Sequence, residues 1–174
     1  MIKKFKAWVL LSLVTTALAG LAYTLGQQVL RQSANDPQIQ MSEDLAAALA
    51  SGKLPKDIIS KDKVDMAQSL APYVVVFDEK GQPLASTAIL DGQTPTLPDG
   101  VLAYTKLHGQ DIVTWQPRAG VRSAAVITHY NGGYVLAGRS LREVEKREDR
   151  VLKLTVLAWL ATMAGILVTV VILV

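Results

Sequence analysis

Two stretches without a single charged residue bound what this chain can fold into. Ala7 to Leu30 and Leu154 to Val174 are runs of 24 and 21 residues, and as helices rising 1.5 Å per residue each is long enough to cross roughly 30 Å of hydrocarbon. Between them lies a polar segment, Arg31 to Lys153. Its charge is nearly balanced: all 15 acidic residues fall in Arg31 to Arg150 with 14 basic ones, a net of −1. The formal +3 of the whole chain therefore comes from Lys3, Lys4, Lys6 and Lys153 at the edges of the apolar runs. The basic pI is a membrane-edge effect and not the stripe expected of a nucleic-acid binder.

The domain plan that follows is a cytoplasmic N-terminus over 1–6, a transmembrane helix over 7–30, an extracytoplasmic domain over 31–153 with an exit helix over 141–153, and a second transmembrane helix over 154–174. The lysines before the first run favour a cytoplasmic N-terminus, because moving them across the bilayer is costly. The basic residues Arg139, Arg142, Lys146, Arg147, Arg150 and Lys153 pull the opposite way, but long loops translocate largely regardless of charge. The plan places the protein in the plasma (inner) membrane with two spans. A cleaved signal peptide ending near Ala17-Leu18-Ala19 is the competing reading, opposed by the apolar run continuing through Leu25.

Small or hydroxylated residues recur every fourth position at Ser12, Thr16, Gly20 and Thr24, and again at Ala161, Gly165 and Thr169. That spacing puts each set on one helix face, where backbones can approach closely. Helix pairing, within the chain or between copies in a homodimer, is the functional reading; ordinary membrane-helix composition is the alternative.

Within the polar segment, Asn35-Asp36-Pro37 reads as a helix start, with Asp36 as N-cap, and Gly52 as its end. A short helix is expected over Val64 to Leu70. Tyr73 to Phe77 and Pro83 to Ile89 form a hairpin around Asp78-Glu79-Lys80-Gly81, and Asp91 to Pro98 reads as a loop. Asp99 is expected to cap a helix ending at Gly109 with Val101, Tyr104, Leu107 and His108 on one side, a strand over Val101 to Leu107 being the alternative. Asp111 to Gln116, Val121 to Tyr130 and Tyr134 to Arg139 follow as a three-strand meander, and Arg142 opens a helix that no proline or glycine interrupts before Ala164.

This order of elements, with the Tyr73-to-Ile89 hairpin, the Arg122-to-Arg139 hairpin and the exit helix, resembles the PAS-like, Cache-type extracytoplasmic sensor domains of bacterial membrane receptors over roughly Asp36 to Arg150. The resemblance lies in arrangement and not in a motif. It implies an α+β fold, an antiparallel PAS-like sheet covered by helices and inserted between two transmembrane helices. It also implies a ligand held between sheet and helix, for which Tyr104, Trp115, Arg122 and His129 are the candidate contacts. Arg122 suits a carboxylate, while core packing is the plainer role for Tyr104 and Trp115.

No catalytic residue stands out. Without cysteine there is no disulfide, thiolate zinc site or cysteine nucleophile, and His108 and His129 alone make no metal site. Gly-rich phosphate loops, nucleophile elbows and His-Glu-x-x-His pairs are absent from the sequence, so no enzyme, cofactor or metal is expected. The functional expectation is a membrane-anchored sensor or signal-input protein that detects a small-molecule ligand or a partner protein and acts through its membrane helices on a separate output protein. A non-sensory anchor or assembly module of an envelope complex, or the input half of a longer receptor such as a sensor kinase, are the alternatives. The partners expected are the lipid bilayer and a second copy or another membrane protein, with no nucleic acid.

Overall fold

Ordering the sheet is a matter of two hairpins and where they join. The computed structural model describes residues 2–173 and divides into two units, a helical one built from the two chain ends and a sheet unit, Gln32–Glu143. Helix α1 spans Ile2–Ala50 and is followed by the short α2, Pro55–Ile58. The strands are β1 (Val64–Asp65), β2 (Tyr73–Phe77), β3 (Pro83–Ser86), β4 (Ala88–Ile89), β5 (Gln110–Arg118), β6 (Val121–Tyr130) and β7 (Gly133–Ser140), with α3 (Asp99–His108) before β5 and α4 (Arg142–Leu173) at the end. Five strands form an antiparallel sheet in the order β3-β2-β7-β6-β5. The first hairpin thus lies beside the last strand of the later meander, which makes β2 and β7 central and leaves β3 and β5 as edges. The fold is α+β, as expected.

Two layers cover this sheet. On one face Tyr73, Val75, Phe77, Trp115, Ala125, Ile127, Tyr134 and Leu136 pack with Met66, Leu90, Leu97 and Leu102. On the other, Val74, Val76 and Val135 meet Ala46, Leu49 and Ile59. The second layer is the C-terminal part of α1, registered by polar contacts: Ser42 and Thr128 share a 2.9 Å hydroxyl bond, and the Gln110 amide donates to Thr128 and to Glu43, each at 3.1 Å. Strand β6 is covered on both faces, as its apolar residues on either side require.

Several local expectations are corrected. No helix starts at Asp36: α1 runs unbroken through Pro37. Proline has no N–H for the Ser33 carbonyl, an interior penalty of up to about 3 kcal/mol. Burial of Gln38, Ser42, Ala46 and Leu49 on the sheet lies on the other side of that balance. The end at Gly52 is as expected, with φ +93° and paired bonds Gly52 N–H to Leu49 O and Lys53 N–H to Ala48 O closing a Schellman motif. Val64 to Leu70 is not helical. Val64 and Asp65 pair in parallel with Ala88 and Ile89, and the Asp65 carboxylate accepts the Ala67 N–H, turning the chain instead of winding it.

The second arm of the first hairpin is also shorter than Pro83 to Ile89. At Thr87 both the main chain and the hydroxyl bond to Val74, and beyond it Ala88–Ile89 leaves for β1. In α3 the N-cap is Pro98, which offers no side-chain bond, and Asp99 is the first helical residue. Its inward face is Leu102 and Thr105, leaving Tyr104 at 49% and Leu107 at 81% exposure, so the face expected from Val101, Tyr104, Leu107 and His108 is mostly the outer one. Strand β5 continues through Pro117. Because that residue cannot donate to β6, the register slips between Trp115 and Arg118.

In the helical unit, half-buried positions recur at Trp8, Ser12, Thr15, Ala19, Tyr23 and Gly26 in α1 and at Val151, Thr155, Trp159, Met163 and Ile166 in α4. These steps of three and four residues are the seam of an antiparallel pair. Both helices are long and apolar enough to cross a membrane, and many of the leucines and valines off the seam, such as Leu13, Leu18, Leu157 and Val168, are exposed.

Candidate functional site

The sheet unit carries an open cleft of ≈ 880 Å³ between the loop after β4 and strand β5. Its loop wall begins with a tight turn. Leu90 and Gln93 exchange both backbone bonds across Asp91-Gly92, whose φ values of +52° and +79° are those of a type I′ turn. Gln93 to Pro98 then lines the cleft outside any helix or strand, with Leu97 buried. Opposite stands Val113 to Arg118 of β5. Trp115 is 6% exposed and forms part of the floor. An Arg118–Asp91 ion pair bridges strand and turn at the surface. Both partners are solvent-exposed, so the pair contributes little to stability and opens at small cost.

The four expected ligand contacts do not converge. Trp115 alone lines this cleft. Tyr104 lies on the outer face of α3 and stacks on His108 with ring centres 4.0 Å apart; the His108 ring also meets the Tyr104 carbonyl at 3.0 Å through Nδ1. Arg122 sits half-buried on β6 and has polar partners of its own. His129 belongs to a separate cluster, its Nε2 donating to Glu79 at 3.1 Å.

That cluster ties three elements. Glu79, in the turn between β2 and β3, receives Lys106 from α3 at 2.8 Å and His129 from β6. The hydrogen bond from Lys106, and then that from His129, hold the Glu79 carboxyl below the usual carboxylate range, and Glu79 in turn raises Lys106. His129 packs on Tyr134, ring centres 5.1 Å apart. His129 thus meets the Glu79 carboxylate at one ring nitrogen and the Tyr134 ring at its side, while Lys106 shares the same carboxylate. The cluster acts as a clasp holding the turn against α3, where Gly81 (φ +76°) approaches Leu102 too closely for a Cβ.

Along the helix pair, the expected pairing residues fall differently from their spacing. Ser12 lies in the seam and Thr16 at its margin, where its hydroxyl accepts the Trp159 indole N–H at 3.0 Å. Gly20, Thr24, Ala161 and Gly165 are exposed, and a Cβ on either glycine would meet nothing within 4 Å. The close approach is at Gly26 instead, where a Cβ would lie 3.4 Å from Val151. Thr16, Gly20 and Tyr23 do share a shallow apolar groove of ≈ 220 Å³ with Leu152, Val156 and Trp159.

The sequence reading placed the β5 wall and Trp115 on it, but not the loop Asp91 to Pro98 as the wall that faces them. The Asp91-Gly92 pair carried the signal, being the strongest two-residue hairpin turn, yet the segment reads as featureless loop because its flanks are single residues and not strands. Arg118, exposed at the end of β5, pairs with Asp91 across the mouth. Among the described residues no cluster of three or more His, Cys, Asp and Glu could hold a metal. Comparison with family models, with characterised proteins and with solved structures finds no match to this chain.

Proposed function

We propose that this chain is a two-span membrane protein with an extracytoplasmic, PAS-like sheet domain that serves as a signal input, taking a ligand or a partner segment in the cleft beside β5 and acting through its membrane helices on a separate output protein. One observation carries the reading: an open cleft of ≈ 880 Å³ in a sheet domain bounded at both ends by helices that continue into long apolar stretches. Helix α4 has neither proline nor glycine before Gly165, so its hydrogen-bond ladder can carry a displacement at Arg142 along its length. Arg139 and Arg142 support the same idea. They bond the carbonyls of Leu70 and Gln68, so the start of α4 is held to the loop before β2.

A single cysteine at Lys61, labelled with an impermeant maleimide in intact cells, tests the orientation; protection until the membrane is broken refutes it. Transmission is tested with a cysteine at Ala158, cross-linked between copies, in the unmodified protein and in Thr96→Trp, which fills the cleft. The expected result is a changed cross-linking yield. Equal yields favour the second reading, a non-sensory anchor or assembly module. That reading draws on one observation, that the space between sheet and α3 is filled by fully buried side chains such as Tyr134, Ile127 and Leu136.

A further inference from the structure

We infer that the occupant of the cleft is an extended peptide segment of a partner protein, which adds as a strand to the free edge of β5. Register decides which backbone groups that edge offers. The His129 N–H bonds the Gly109 carbonyl, and the pairing continues through Asp111 with Ile127, Val113 with Ala125 and Trp115 with Ser123. Antiparallel bonds alternate, so the odd-numbered residues of β5 spend their N–H and C=O groups on β6. The bond from Leu141 N–H to the Arg122 carbonyl fixes the complementary half, directing the even-numbered residues of β6 to β7. Gln110, Ile112 and Thr114 consequently aim their backbone N–H and C=O away from the sheet, and among the described residues none of them makes a further backbone bond.

Such an edge is normally short, charged or covered. The other edge, β3, is short and begins with proline. Strand β5 has nine residues, its proline lies beyond the outward-facing positions, and Ile112 is 47% exposed.

Cleft and edge are continuous. A pocket on one face of a strand would be lined by every second residue, whereas here the consecutive, regularly paired Val113, Thr114 and Trp115 all line the cleft, as do Gln116 to Arg118 beyond the register slip. The cleft therefore follows the edge and passes beyond it along Gln93 to Pro98. Outward groups on Gln110, Ile112 and Thr114 repeat every ~6.8 Å, a spacing that an extended main chain matches and a small molecule meets at one point only. Alternate side chains of that segment would enter the cleft against Leu97, Val101 and Trp115, so they are apolar. A second copy of β5 fits poorly, because Val113 and Trp115, its side chains on the cleft's face, are committed to its own core, and its exposed apolar side chain, Ile112, alternates to the opposite face.

The inference rests on the cleft being the input site proposed above, and the test separates the two. The full chain in detergent micelles is titrated with an array of hexapeptides alternating Thr with Val, Ile, Leu or Phe, and with the same peptides N-methylated at alternate positions. Backbone amide exchange is read residue by residue. In the free protein Ile112 and Thr114 should exchange freely while Val113 and Trp115 are protected; a binding peptide should slow Ile112 and Thr114 at least tenfold, and N-methylation should weaken binding at least tenfold. Thr114→Pro removes one outward N–H and no ladder bond, so it should weaken binding tenfold with Val126 and Leu136 protection unchanged. If that variant unfolds, Thr114→Lys serves in its place. Overturning results are that no peptide binds, that methylated and unmethylated peptides bind equally, or that Ile112 and Thr114 are already protected, whether by the chain itself or, with a concentration dependence, by a second copy. Any of these alongside a changed Ala158 cross-link in the Thr96→Trp protein leaves the input reading standing and removes the peptide.

Discussion

Gly138→Ala should destabilise the sheet domain through one side chain, Tyr73. The two residues are cross-strand partners on β7 and β2, and the Tyr73 ring folds over the glycine so closely that a Cβ there would lie 2.5 Å from Cζ and from Oη. Ordinary carbon contacts are about 3.5–4.0 Å, so the ring has to retreat by about 1 Å. It has nowhere to go, being 2% exposed in the main core cluster. Overpacking of this kind costs about 1–3 kcal/mol, offset by roughly 0.5–1 kcal/mol because alanine is the better strand residue and loses less backbone freedom. A net loss of about 1–2 kcal/mol in a domain of this size lowers Tm by roughly 4–10 °C. Trp115 is the only tryptophan in the sheet unit, so thermal unfolding followed by its fluorescence in a Trp8→Phe, Trp159→Phe background reads this domain alone. Tyr73→Ala should itself cost about 3–5 kcal/mol, and in that background Gly138→Ala should become neutral or stabilising. Additivity of the two substitutions to within about 0.5 kcal/mol would refute the steric argument.

Four further expectations follow from the same structure. Burial raises the hydroxyl pKa of Tyr73, Tyr130 and Tyr134; a raised folded pKa gives stability that is complete below the ordinary value near 10 and is lost as pH rises past it, so the urea midpoint should fall in alkali, and a flat midpoint would count against it. Glu79 is held low by Lys106 and His129, so its contribution is present above the ordinary carboxylate value and fades as pH falls below it; Glu79→Gln should speed amide exchange in the last turn of α3 at neutral pH, with the difference from the unmodified protein shrinking as pH is lowered through the acid range. Thr16→Val removes the acceptor of the Trp159 indole and should weaken the helix pair by about 0.6 kcal/mol, seen as a shift in Trp159 emission in a Trp8→Phe, Trp115→Phe protein. Pro37→Ala, at an exposed position inside α1, should stabilise the helix by about 1–3 kcal/mol, and an unchanged or lower Tm would show that the proline is needed where it stands.

Periodicity and charge by themselves determined the two apolar helices, the strands β2, β6 and β7, and the α3 to Gly109 boundary, because each is encoded within a few consecutive residues: uninterrupted apolar runs, β-branched stretches, glycine at a positive φ. Tertiary structure decided the rest. Asp36-Pro37 has every local mark of a helix start, yet α1 passes through it, and the surface it buries begins just beyond, at Gln38, Ser42, Ala46 and Leu49. Gly20 and Gly165 carry the local spacing for close helix contact, yet the seam runs through Ser12, Ala19 and Gly26, because the register of two helices is set by all their side chains together. The outward amides of Ile112 and Thr114 were invisible in the sequence for the same reason: which groups of a strand remain free depends on the register with its neighbour, and no residue in the strand records it.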